Sequence, residues 1–266
     1  MNIKNDYKAN SIPDLFNKLS QHPNKDGDDY TAVDECLGIL KLYYDGIYEH
    51  GRKRFIYNYR AQKEKQTLEE LLSGCKTIVG RVHSGYELRS SDLQQVLSLK
   101  KEVSTYASSD VCNYRHLAKD NFTAGLVDYL EKICNEIGYF DSVFYVASGG
   151  AEPALLYCAR KGGLPIPIRF SKCRMHDANV VIPKSLSIEY LSEKIRGKRV
   201  LVVEDIMMSG QSLKKVMEYI YDYKPKELYG CAVYGVEDFN FKNMRKITDV
   251  HSSDGRYIFH VVSDGV

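Results

Sequence analysis

Residues 199–213 read RVLVVEDIMMSGQSL, and this stretch decides the fold. Val200, Leu201, Val202 and Val203 form a continuous apolar run that ends in two adjacent acids, Glu204 and Asp205. An uninterrupted run of this kind predicts a strand buried on both faces, as in a parallel sheet. A short connection then reaches Ser209-Gly210-Gln211-Ser212, where SGQSLKKVMEYIYDY (209–223) predicts a helix. The first amides of such a helix have no acceptor within it and carry the positive end of its dipole, so the turn attracts anions. Gly210 permits close approach of the backbone, and Ser209 and Ser212 add hydroxyl donors. The paired acids repel a phosphate. They suit sugar hydroxyls, or a magnesium ion (Mg2+) held directly or through water. Acids on one side of a turn and phosphate donors on the other fit a ribose 5-phosphate, placed where open α/β sheets bind ligands.

Outward from this stretch, apolar runs alternate with helical patterns. DSVFYVAS (141–148), LPIPIRF (164–170), KRVLVVE (198–204), KELYGCAVYGV (226–236) and GRYIFHVVSDGV (255–266) predict strands. NYRHLAKDNFTAGLVDYLEKICNEIGY (113–139) predicts a long helix ending near Gly138, and 149–163, 185–195 and 209–223 predict further helices. Pro153 falls in a first turn, where its missing N–H is harmless, and Gly162 marks a stop. The pattern predicts an α/β fold with a mostly parallel sheet and flanking helices over 111–266. Residues 1–110 predict a helical segment or domain, with helices over 34–48, 67–79 and 91–106. Thr67, followed by Glu70 three positions on, predicts a capped start for the second of these.

The segment VLVVEDIMMSGQS resembles the signature of type I phosphoribosyltransferases: four apolar residues, two acids, a short variable stretch, then Ser/Thr-Gly-x-Ser/Thr. The resemblance implies a transfer of the 5-phosphoribosyl group of phosphoribosyl pyrophosphate (PRPP) to a nitrogenous base, with Mg2+ as cofactor and pyrophosphate as product. It implies that Glu204 and Asp205 hold the ribose hydroxyls and contact the metal, and that Ser209, Gly210, Gln211 and Ser212 wrap the 5-phosphate. Met208 stands where purine-salvage members of the family carry an Asp that meets the base. A thioether is no general base, which argues against hypoxanthine or guanine as the acceptor. It also keeps open a second role, that of a non-catalytic module that senses PRPP or a nucleotide and signals through the N-terminal helices.

The resemblance also implies a pyrophosphate loop after the first strand of the domain. Ser148, Gly149 and Gly150 match it, with paired glycines whose amides can face a diphosphate. After the next strand, Arg169, Lys172 and Arg174 supply positive charge for the departing diphosphate. Lys172 is the leading catalytic candidate, with Arg174 and His176 behind it, and 173–190 form the closing loop. Val236 and Phe239 are candidates to line a base pocket. The N-terminal helices have three candidate roles: a cap over the acceptor site, a homodimer surface, or a module for another partner.

Composition sets the remaining bounds. Among 266 residues the net charge is +2, and no basic stripe with interleaved aromatics occurs, which argues against nucleic acid as a partner. No apolar run reaches the roughly 20 residues of a membrane span, and the polar start MNIKNDYKANS does not resemble a secretory signal. The seven cysteines are odd in number and form no CxxC pair, which argues against a disulfide framework or a zinc knuckle and for reduced thiols in a cytoplasm. The Walker pattern and GxGxxG are absent, so other nucleotide-binding α/β proteins fit less well.

Overall fold

A computed structural model describes residues 10–22, 29–53, 58–107, 128, 131, 135, 138–147, 149–170, 180, 182–183, 185–206, 211–233, 250–251 and 258–262. The chain divides into two compact units, residues 1–116 with 183–185, and residues 117–182 with 186–266.

The first unit is helical. It comprises α1 (Ile12–Gln21), α2 (Tyr30–Lys53), α3 (Asn58–His83), α4 (Ser90–Ser98) and α5 (Lys100–Tyr106). In α2, Val33, Cys36, Leu37, Leu40, Tyr43, Tyr44 and Ile47 recur at helical spacing and are all buried. They pack on α3, whose Leu68, Leu71, Leu72, Cys75, Ile78 and Val79 repeat the pattern. The Tyr43 hydroxyl crosses this interface and donates to the Glu64 carbonyl at 2.9 Å.

Three features of this unit depart from the sequence expectations. Thr67 does not cap α3. It lies buried inside a helix that begins at Asn58. The polar lead-in NYRAQKEKQ is rich in strong helix formers and is laced by Arg60–Glu64 (3.0 Å) and Lys65–Glu69 (3.9 Å) at i,i+4 spacing. The single helix expected over 91–106 breaks at Leu99, whose φ of −85° and ψ of 1° leave the helical region. The break keeps Leu93, Val96, Leu99 and Val103 all buried. Helix α1 was not anticipated, although Ser11 and Asp14 cap it reciprocally, with the Ser11 amide donating to Asp14 Oδ2 at 3.1 Å.

The second unit is the expected α/β fold. Its elements are β1 (Ser142–Ala147), α6 (Ala151–Lys161), β2 (Ile166–Arg169), α7 (Ile188–Ile195), β3 (Arg199–Ile206), α8 (Gln211–Tyr221), β4 (Glu227–Val233), β5 (Val250–His251) and β6 (Ile258–Val262). The sheet runs β2-β1-β3-β4-β6-β5. Five strands are parallel, and the short β5 pairs antiparallel with β6. Val200, Leu201, Val202 and Val203 are fully or almost fully buried, as the apolar run requires. Helix α6 packs on β1 and β3, and α8 packs on β3 and β4 through Leu213, Val216, Met217 and Ile220. At the amino edge of the sheet, Arg199 Nε meets Glu227 Oε2 at 2.9 Å and the Arg199 amide donates to Asp141 Oδ2 at 2.8 Å, which pins the register. Of the long helix expected over 113–139, Asp128, Glu131 and Asn135 are described and helical. Arg160 of α6 binds Asp128 at 2.6 Å, and Lys161 meets Glu131 at 3.6 Å.

Candidate functional site

The order of the strands locates the site before any side chain is considered. From β1 the chain passes through α6 to β2 on one side, and the strands that follow, β3 and β4, lie on the other. The connections therefore diverge between β1 and β3, and open parallel sheets bind ligands in the crevice outside the carboxyl ends of strands at such a point. The register aligns these ends: Tyr145 pairs with Val203, Ala147 with Arg169, and Glu204 with Ala232. Thus the turn after β1, Arg169 at the end of β2 and the acid pair at the end of β3 share one edge of the sheet.

Two local irregularities shape that edge. The pairing of β3 with β4 runs in step as far as Glu204, opposite Ala232, and resumes at Ile206, opposite Val233. Asp205 is the extra residue of a β-bulge. A bulge breaks the alternation of the strand and re-aims the residues at its end. The second irregularity is at Gly150. Its φ of −67° is open to any residue, so backbone freedom does not explain the glycine. A Cβ there would collide with the Val203 carbonyl oxygen and lie 3.0 Å from Glu204 Cα, both backbone atoms. The turn after β1 therefore rests directly on the main chain that carries the acid pair. The Gly150 amide is itself engaged, donating to the Val146 carbonyl at 3.1 Å.

Residues 121–252 match the phosphoribosyl transferase domain family. This segment belongs to that family. It takes in β1 to β4, the Gly149-Gly150 turn and the acid pair. No curated protein matches the chain in sequence. Among solved structures, a hypothetical protein from Neisseria gonorrhoeae with bound ppGpp is 18% identical over 55% of this chain and 81% of its own, with a TM-score of 0.37. A purine phosphoribosyltransferase from Pyrococcus horikoshii is 19% identical over 55% and 91%, with a TM-score of 0.33. The Helicobacter pylori xanthine-guanine-hypoxanthine phosphoribosyltransferase is 17% identical over 57% and 86%, with a TM-score of 0.35.

Within the phosphoribosyl transferase domain, the structure brings Gly149, Gly150, Arg169 and Glu204 to one edge of the sheet, with Asp205 in the strand beside them. Glu204 is half-buried and partnered. Arg169 is buried at the end of β2 and partnered. Gln211 and Ser212 open α8, with Ser212 half-buried. Ser148, Lys172, Arg174, His176, Met208, Ser209, Gly210, Val236 and Phe239 lie outside the described residues. The loop expected over 173–190 ends earlier than anticipated, because Ile188, Glu189 and Tyr190 form the first turn of α7 behind a Ser187 cap.

Sequence reading missed Glu152, which is only 2% exposed in the first turn of α6. A carboxylate at the positive end of a helix is favourable there. The signal was present in Gly149-Gly150-Ala151-Glu152-Pro153, where an acid stands two positions after the glycine pair. Pro153 has no N–H, so Ala151 and Glu152 supply the amides of the first turn. Cys231 on β4 is no nucleophile, since complete burial pushes its thiol far up. Among the described residues no cluster of three His, Cys, Asp or Glu could cage a metal.

Proposed function

We propose that this chain transfers a 5-phosphoribosyl group from PRPP to a nitrogenous base and releases pyrophosphate. In that reaction the bond from the anomeric carbon to the diphosphate oxygen breaks, a carbon–nitrogen bond forms, and the base gives up a proton. Glu204 and Asp205 accept hydrogen bonds from the ribose hydroxyls. Ser209, Gly210, Gln211 and Ser212 enclose the 5-phosphate at the positive end of α8. Ser148 and Gly149, with the first-turn amides of α6, face the diphosphate. Arg169, Lys172 and Arg174 balance the negative charge that the leaving group gains, and such preorganised charge is a large part of a catalyst's effect. Holding sugar and diphosphate by separate loops fixes the reacting carbon, which contributes through orientation.

The residues fit a magnesium ion carried in with substrate. Mg2+ is usually bound by one or two carboxylates and completed by phosphates and water, not by a cage made wholly of protein. Glu204 and Asp205 would hold it, directly or through the ribose hydroxyls. Once bound, it would offset charge on the diphosphate.

The observation that carries this reading is the placement of the Gly149-Gly150 turn against the strand bearing Glu204. It supports a single crevice with diphosphate donors on one side and sugar acceptors on the other. The test is PRPP labelled at the ribose, Mg2+ and a panel of purine and pyrimidine bases, read as labelled nucleotide and free pyrophosphate. Nucleotide formation is expected, and Glu204→Gln and Asp205→Asn are each expected to lower kcat/KM roughly 100-fold. Tight binding of PRPP in calorimetry with no product from any base would instead assign the site to sensing, the role that Met208 favours.

A further inference from the structure

We infer that Gly150 is a positioning residue that couples the two halves of the site, so that the diphosphate turn and the sugar acids move as one body. The inference rests on the phosphoribosyl reading above and deepens it. The observation is one of backbone against backbone. The place where a Cβ would sit on Gly150 is occupied by the Val203 carbonyl oxygen, with the Val203 carbonyl carbon at 2.9 Å and Glu204 Cα at 3.0 Å. No flexible side chain is available to yield, so even one methyl group must displace a main chain. What yields is either the Gly149-Gly150 turn or the end of β3.

Two hydrogen bonds make the turn stiff. The Gly150 amide donates to the Val146 carbonyl at 3.1 Å, and its carbonyl accepts from the Ala154 amide at 3.2 Å. Gly150 is thus tied to the end of β1 on one side and to the first turn of α6 on the other. Helix α6 is buried along Ala151, Glu152, Pro153, Ala154, Leu155, Leu156, Tyr157 and Cys158, so it has no free face along which to shift. The acid strand is held as firmly, since Val200 to Val203 are buried between β1 and β4. A displacement at Gly150 therefore changes the separation of the two half-sites. The engaged amide points the same way: Gly150 serves by the space it leaves, whereas Gly149 and the first-turn amides of α6 are the donors.

A ligand that spans both halves must feel such a change, and a ligand that uses one half must feel it less. PRPP spans both, ribose 5-phosphate uses the acids and the α8 turn, and pyrophosphate uses the β1 turn. The experiment is calorimetric titration of the full chain and of Gly150→Ala with each of the three in the presence of Mg2+. The full chain is expected to bind all three. Gly150→Ala is expected to keep its affinity for ribose 5-phosphate within about twofold and to lose PRPP affinity roughly 100-fold, the scale of a misplacement near 1 Å and a larger loss than that for pyrophosphate. A residue that mattered only for folding would weaken all three alike.

A variant that loses none of the ligands, or all three equally, overturns the inference alone. Unaltered protein that binds none of them overturns the phosphoribosyl reading and this inference with it. Where Gly150→Ala does not fold, hydrogen exchange on the unaltered chain decides. Pyrophosphate alone is expected to slow exchange in peptides covering 200–206 as well as in those covering 144–154. Protection confined to 144–154 would show the halves to be independent.

Discussion

Tyr43 is fully buried between α2 and α3, and its hydroxyl donates to the Glu64 carbonyl at 2.9 Å. Burial is the main reason its phenol is held far above the ordinary value of 10.0, with a hydrogen bond involving Thr67 acting in the opposite direction. In the unfolded chain the same phenol ionises near 10.0. Above that pH the unfolded state therefore binds fewer protons than the folded state, and stability falls as pH rises. Denaturant melts between pH 8 and pH 11 should show this decline. Tyr43→Phe should cost about 1 kcal/mol at pH 8, for the lost hydrogen bond. It should also flatten the alkaline decline. The decline should not vanish, because burial and the neighbouring Tyr223 hydroxyl raise the Tyr219 phenol as well. Buried thiols give a second check at this scale. Cys36, Cys75, Cys158 and Cys231 are buried thiols outside any disulfide. Iodoacetamide at pH 8 should leave these four unmodified in the folded chain and modify them in urea, because only an exposed thiolate reacts.

At the scale of elements, what was legible follows from how local its cause is. Strand β3 was legible because Val200 to Val203 form a short unbroken apolar run rich in β-branched valine, the pattern of a strand covered on both faces. Helix α8 was legible because Leu213, Val216, Met217 and Ile220 fall on one stripe. The bulge at Asp205 was not legible, since it is a property of the pairing with Ala232 and Val233 on another strand. The demand for glycine at position 150 was hidden for the same reason: the atoms that impose it belong to Val203 and Glu204. Glycine pairs in sequence suggest backbone freedom or amide access, and here the cause is a steric one that only the assembled sheet reveals. Thr67 misled because Thr followed by Glu70 fits a capping box equally well inside a helix, and the helix-forming residues before it decide the matter. The true caps can be tested. Ser11 accepts from the Asp14 amide and donates to Asp14 Oδ2 at 2.6 Å. Ser11→Ala should destabilise the chain by about 1 kcal/mol in a denaturant melt. Thr67→Ala should act instead through Tyr43, and the double variant with Tyr43→Phe should cost less than the sum of the two, because contacting residues are not additive.

At the scale of the whole molecule, two compact units each carry their own buried core. One is centred on α2 and α3, the other on β1, β3 and α6. The crevice proposed for PRPP is built on described residues of the second, so stability and ligand affinity are expected to respond differently to damage in the two. Leu40 of α2 is buried in the first core. Leu40→Ala removes that packing and should cost about 2–5 kcal/mol, the usual range for a large-to-small change in a core. Its effect on ribose 5-phosphate affinity is expected to be nil. Val202 lies fully buried in β3, two positions before Glu204. Val202→Ala should lower stability and weaken ribose 5-phosphate together, because the strand that loses its packing is the one that presents the acids. The measurement is a thermal melt of each variant with and without ligand. Saturating ribose 5-phosphate at about 100 times its Kd should add about 2.7 kcal/mol to any protein that keeps an intact site. The increment should be retained in Leu40→Ala and reduced in Val202→Ala. Loss of the increment in Leu40→Ala would mean that the helical unit contributes to the sugar-phosphate site itself, and of its three candidate roles the cap over the site would then be favoured.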